Sequence, residues 1–162
     1  MRACTLHCRR YDFTRLVTLF GRFFQIRDDY VNLNSASYSS QKGFCEDLEE
    51  GKFSVILIHA LGSLAAYERD HILAIIRRQQ FQNSSANATT DFGSAEAPQL
   101  SRELKSHVLE LMEKAGSMVY TRKLLGALET ELEAEIEKLE RQTGVENPIM
   151  RLLLARLGLD SL

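Results

Sequence analysis

The chain has 162 residues, 44% of them hydrophobic and 26% charged, which suits one globular domain with a sizeable core. The formal net charge is −2, so no global basic field exists to hold nucleic acid or an anionic membrane, and any anion site must be local. Trp is absent, aromatics make up 8%, and only two prolines interrupt the chain, which favours helices over an all-β fold.

The first residues, MRACTLHCRRYDF, lack the apolar run of a signal peptide, and no stretch of 18 apolar residues follows. A cytoplasmic location without a membrane span is expected. Three cysteines, Cys4, Cys8 and Cys45, fit a reducing compartment better than a disulfide framework. Cys4, His7 and Cys8 lie close in sequence, but no second ligand pair follows at zinc-site spacing.

An amphipathic helix is predicted over residues 12–33. Leu16, Leu19, Phe20, Phe23, Ile26, Tyr30 and Leu33 recur at three- and four-residue spacing. Gln25, Asp28, Asp29 and Asn32 form a polar stripe on the same helix. Residues 34–51, NSASYSSQKGFCEDLEEG, lose the period and read as an ordered loop with one helical turn near Glu46. A helix over 53–67 is apolar all round and expected to be buried, and another follows over 68–81 through Ile72, Ile75 and Ile76. Residues 82–99 are small, polar and nearly aperiodic, and read as a flexible surface loop.

Ser101 is placed to cap a helix carrying Leu104, Val108, Leu111 and Met112. A long helix over 117–142 carries Val119, Leu124, Leu125, Leu128, Leu132, Ile136 and Leu139, with Gly144 as its stop. A last helix starts at Asn147-Pro148. The expected fold is all-α.

Two groups of residues bear on chemistry. Asp28 and Asp29 supply adjacent carboxylates, the hard oxygen donors that Mg2+ takes together with phosphate. Lys42, Asp47 and Lys52 sit in the loop that follows, and ammonium groups beside metal-binding carboxylates are what a diphosphate needs. Each group taken alone reads more readily as an ordinary solvated surface.

Together they carry a resemblance. The string FFQIRDDYVNL, then QKGFCEDLEEGKFS, then IHAL, resembles the trans-isoprenyl diphosphate synthases, and within them the fungal and animal geranylgeranyl type. In that family FQIRDDYxNL is the second aspartate-rich region and KGFxEDxxEGKxS follows it directly. GSMVYTRKLL and Asn147-Pro148 fit the family's C-terminal region. The resemblance covers residues 12–162 apart from 82–99, and residues 1–11 do not share it.

The resemblance implies the C-terminal half of an isoprenoid-synthase helical bundle and a Mg2+-dependent prenyltransferase. Asp28 would ligate Mg2+ shared with the allylic diphosphate, and Asp29 would support that metal directly or through water. Gln25 would line the allylic pocket. Lys42 and Lys52 would contact the diphosphate, and Asp47 occupies a matching position. Asn32 stands where farnesyl-type enzymes carry a further aspartate, a feature the geranylgeranyl type shares. The implied reaction is 1′-4 condensation of isopentenyl diphosphate with the allylic cation, in an apolar cavity that excludes water. Part of its walls would come from helices 12–33 and 53–67.

The family's first region, DDxxD, is missing from these 162 residues. Three readings stay open: a truncated product of a longer gene, a non-catalytic helical subunit that pairs with a complete synthase or with itself, or the tail of a fused terpene enzyme. Stand-alone turnover is not expected. The ETELEAEIEKLERQ stretch suits either an exposed interaction helix or a bundle helix packed on the core.

Overall fold

A computed structural model describes residues 11–34, 45–88 and 100–158. Residues 1–10, Lys42 and the segment 89–99 lie outside the described residues. The ordered elements among the described residues are all helices: α1 (Thr14–Asn34), α2 (Glu46–Glu49), α3 (Val55–Ser63), α4 (Ala66–Ala88), α5 (Arg102–Lys114), α6 (Ser117–Thr143) and α7 (Pro148–Leu157). The all-α expectation is met.

The helix ends follow local chemistry. The Asp12 carboxylate accepts from the Thr14 amide at 2.9 Å, so the α1 region opens on a capped turn. Ser54, Ser101 and Asn147 cap α3, α5 and α7 by accepting from the amides of Leu57, Leu104 and Met150. Gly144, at φ 71°, closes α6 in the left-handed conformation that costs a residue with a Cβ most.

Helix α6 is the central element. It packs against α1, α3, α5 and α7, while α3 also touches α1, α4 and α5. Phe23 from α1, Ile56 and Leu57 from α3, Ile72 and Ile76 from α4, Met112 from α5, and Leu125 and Leu132 from α6 are fully buried between them. Each such side chain contributes about 1.5–3 kcal/mol by leaving water. The 117–142 helix is therefore a bundle helix packed on the core.

Three expectations are corrected. The apolar segment 53–67 is not one buried helix. It breaks at Leu64, which is extended (φ −82°, ψ 157°) and whose amide bonds the Ala60 carbonyl before α4 begins. Neighbouring helices cover only the face bearing Ile56, Leu57 and Ala60, so Ile58 remains 56% exposed. Next, α4 runs to Ala88, seven residues past the predicted end at Phe81. Apolar periodicity reports packing rather than backbone hydrogen bonding, and no Gly or Pro interrupts the chain before Gly93. Last, on α5 it is Lys105 that is buried while Leu104 is exposed.

Candidate functional site

Helix α1 delivers Gln25, Asp28 and Asp29, and the short α2 turn delivers Asp47 and Lys52. Adjacent residues on a helix diverge by about 100°, so two neighbouring carboxylates cannot share a direction. Asp29 turns inward and is 3% exposed, whereas Asp28 is exposed and has no partner among the described residues.

The turn is built by backbone bonds. The Leu48 amide donates to the Cys45 carbonyl, the Gly51 amide to that of Leu48, and the Lys52 amide to that of Asp47 at 2.9 Å. Cys45 (φ 55°) and Gly51 (φ 68°) both take the left-handed conformation. Gly51 is required there: a Cβ would also meet the Gln80 side chain at 2.5 Å. Gln80 donates to the Gly51 carbonyl at 2.8 Å, and Lys105 pairs with Glu49 at 2.7 Å.

These constraints direct the Lys52 ammonium onto Asp29. Its Nζ lies 2.6 Å from Asp29 Oδ1 and 3.3 Å from Asp47 Oδ1. Gln25 Nε2 donates to the same Asp29 oxygen at 2.9 Å. The hydrogen bond to Asp29 raises the Lys52 pKa above its ordinary value, against the opposing pull of burial. Burial raises the Asp47 carboxyl, with Lys52 working in the other direction. The Cys45 thiol beneath the turn is pushed up to about 11, mainly by burial.

Of the residues singled out from sequence, the structure thus joins Gln25, Asp29, Asp47 and Lys52 in one cluster. Asp28 stands beside it facing outward, and Lys42 lies outside the described residues. Asn32 keeps a buried Oδ1 with no partner among the described residues. Sequence reasoning missed Gln80, Glu49 and Lys105, because one polar residue on an amphipathic helix gives no periodic signal.

Two carboxylates, Asp29 and Asp47, share the one Lys52 ammonium, so the cluster carries an excess of negative charge that favours a cation, and an anion would need that cation as a bridge. Oxygen donors, one of them exposed and unengaged, match the preference of Mg2+ for one or two carboxylates plus phosphate. Among the described residues no three His, Cys, Asp or Glu side chains converge as a metal cage. An apolar hollow of about 240 Å³ among the described residues lies elsewhere, between Phe13, Leu16, Leu139, Val145 and Met150. Helices α1 and α3 pack on each other, yet Phe24 and Ile58 on their outer sides are exposed. No described helix is long and apolar enough to cross a membrane.

Residues 4–92 match the family model of polyprenyl synthetase. The chain is 47% identical over 91% of its length to a bifunctional terpene synthase, FUP1, of Fusarium proliferatum, and covers 18% of that protein. It is 41% identical over 97% of its length to talaropentaene synthase of Talaromyces verruculosus, covering 21%. It is 43% identical over 90% of its length to geranylgeranyl pyrophosphate synthase 2 of Gibberella fujikuroi, covering 32%. The chain therefore spans only 18–32% of the length of these relatives, and it belongs to the polyprenyl synthetase family.

Proposed function

We propose that this chain is part of a Mg2+-dependent prenyltransferase of the geranylgeranyl diphosphate synthase type, condensing isopentenyl diphosphate with an allylic diphosphate in isoprenoid biosynthesis. The observation that carries this reading is the Lys52 ammonium held between Asp29 and Asp47, with the exposed Asp28 carboxylate beside it.

Asp28 is the residue that would hold Mg2+, with Asp29 as its neighbour in support. Bound there, Mg2+ would supply charge neutralisation of the departing diphosphate. Lys52, and Lys42 from the loop before it, offset the remaining phosphate charge. Gln25 orients Asp29 and borders the allylic end. In the condensation the allylic C1–O bond breaks and its electron pair leaves with the diphosphate. The isopentenyl double bond forms the new bond to C1, and a proton passes to the released diphosphate. The exposed apolar residues of α1 and α3, Phe24 and Ile58, suit the wall of a water-excluding cavity once covered.

The chain acts, in this reading, together with the rest of a synthase domain that brings a DDxxD region, in the cytoplasm. The same exposed apolar residues suit pairing with a complete synthase or a second copy. A place at the end of a longer fused terpene enzyme is a further reading. It is favoured by the 47%-identical relative, itself a bifunctional terpene synthase several times longer than this chain.

The test is binding rather than turnover. Calorimetric titration with Mg2+ and a farnesyl thiodiphosphate analogue should give saturable binding that requires both. Asp28→Ala should abolish it while the helical circular-dichroism spectrum is kept. Unchanged affinity in that variant defeats the assignment.

A further inference from the structure

Lys52 has a flexible four-carbon stem, and a lysine of that kind delivers its charge reproducibly only if its backbone is held. The segment that carries it is short. Helix α2 has only four residues, too few to hold itself by helix cooperativity. Two contacts from outside the segment supply what it lacks. Gln80, on α4, donates from Nε2 to the carbonyl of Gly51, the residue just before Lys52, at 2.8 Å. Lys105, on α5, is 8% exposed and places its Nζ 2.7 Å from Glu49 Oε1. Glu49 and Gly51 both lie between Asp47 and Lys52. The anchors therefore grip the stretch that sets the distance between those two side chains. The fit at Gly51 is tight: Gln80 Cγ lies 2.5 Å from where a Cβ would be.

We propose that Gln80 and Lys105 are positioning residues that clamp the Asp47–Lys52 turn onto α4 and α5, and so aim the Lys52 ammonium at Asp29. They contact Gly51 and Glu49 of the turn, respectively. Their effect on ligand affinity rests on the diphosphate reading above, whereas their effect on the turn does not.

The experiment separates the two. The amides of Leu48, Gly51 and Lys52 are bonded within the turn, so their hydrogen exchange reports its opening. Gln80→Ala should speed exchange at these three amides by roughly tenfold, the scale of one lost hydrogen bond, and Lys105→Gln, which removes an ion pair, should speed it as well. Exchange at Leu132 in the middle of α6 should stay unchanged, and Lys105→Arg should restore protection. Both loosened variants should also weaken binding of inorganic pyrophosphate with Mg2+ by several-fold. Unchanged exchange in Gln80→Ala overturns the clamp. Gln80 is an exposed residue of α4, so its truncation leaves the core intact and decides the matter even if Lys105→Gln does not fold. Faster exchange with undiminished pyrophosphate affinity overturns the aiming role. Faster exchange in a protein whose wild type binds no Mg2+–pyrophosphate supports the clamp and defeats the diphosphate reading alone.

Discussion

Lys52 Nζ and Asp29 Oδ1, 23 residues apart in sequence, meet at 2.6 Å, and this contact ties the α2 turn to α1. It also divides the labour between two adjacent aspartates. Asp29 is enclosed and already engaged by Lys52 and Gln25, while Asp28 is open. An incoming diphosphate would meet an ammonium that Asp29 already holds in place, whereas an incoming cation would meet Asp28 first.

Asp29→Asn and Asp28→Asn should therefore behave differently. Asp29→Asn replaces a charged, buried acceptor with a neutral amide facing an ammonium. It should lower stability by about 1–3 kcal/mol, the range for a hydrogen bond between charged groups. Asp28→Asn changes an exposed side chain and should stay within about 0.5 kcal/mol of wild type. Urea denaturation of the two variants provides the comparison. Equal losses would show that both carboxylates carry the same structural duty.

Lys52 also sets a pH dependence. Its folded pKa is raised, chiefly by Asp29, so the folded state holds the proton more firmly than the unfolded chain does. The stabilisation is fully present below the ordinary lysine value of 10.5, and it disappears as pH rises through the raised folded value. The stability difference between wild type and Lys52→Met should thus be constant from neutral pH to about 9 and shrink in more alkaline solution. Thermal melts across that range would show it. A difference that grew with pH would assign the wrong charge state to the pair.

How much of this was legible in the sequence depended on the kind of signal. Caps at Ser101 and Asn147, the stop at Gly144 and the α1 core positions Leu16, Phe23 and Tyr30 follow from residue type and period, and the structure has them there. The turn near Glu46 was legible because periodicity failed around it. The exposure of Ile58 was not, because hydrophobicity says that a residue should be covered but not what covers it. The inward turn of Asp29 against the outward turn of Asp28 was equally hidden. Both lie on the polar stripe, and only the position of Lys52 in space separates them. Lys105 was invisible for a related reason: its burial depends on Glu49, 56 residues away, and on no pattern within α5.

Cys45 should be a slow thiol. It is fully buried under the turn, and its pKa is pushed up to about 11, mainly by burial, so thiolate is scarce at neutral pH. In the native protein it should react with a disulfide reagent far more slowly than in urea, and the native rate should climb with the opening of the 45–52 segment. Gln80→Ala, which loosens that segment, should accelerate the reaction. A native rate equal to the unfolded rate would place Cys45 at the surface.

Thr121 offers a test of packing against chemistry. Its side chain is fully buried on α6, and its Oγ1 has no hydrogen-bond partner among the described residues. A hydroxyl taken from water without compensation costs about 1–3 kcal/mol. Valine has nearly the same shape and lacks the hydroxyl. Thr121→Val should therefore stabilise the fold, by about 1 kcal/mol after its small helix-propensity difference. Thermal unfolding would register this as a rise in Tm of several degrees for a domain of this size. A fall in Tm would mean that the hydroxyl is bonded in solution. The bundle would then hold a polar partner, such as an ordered water, between α6 and the helices packed on it.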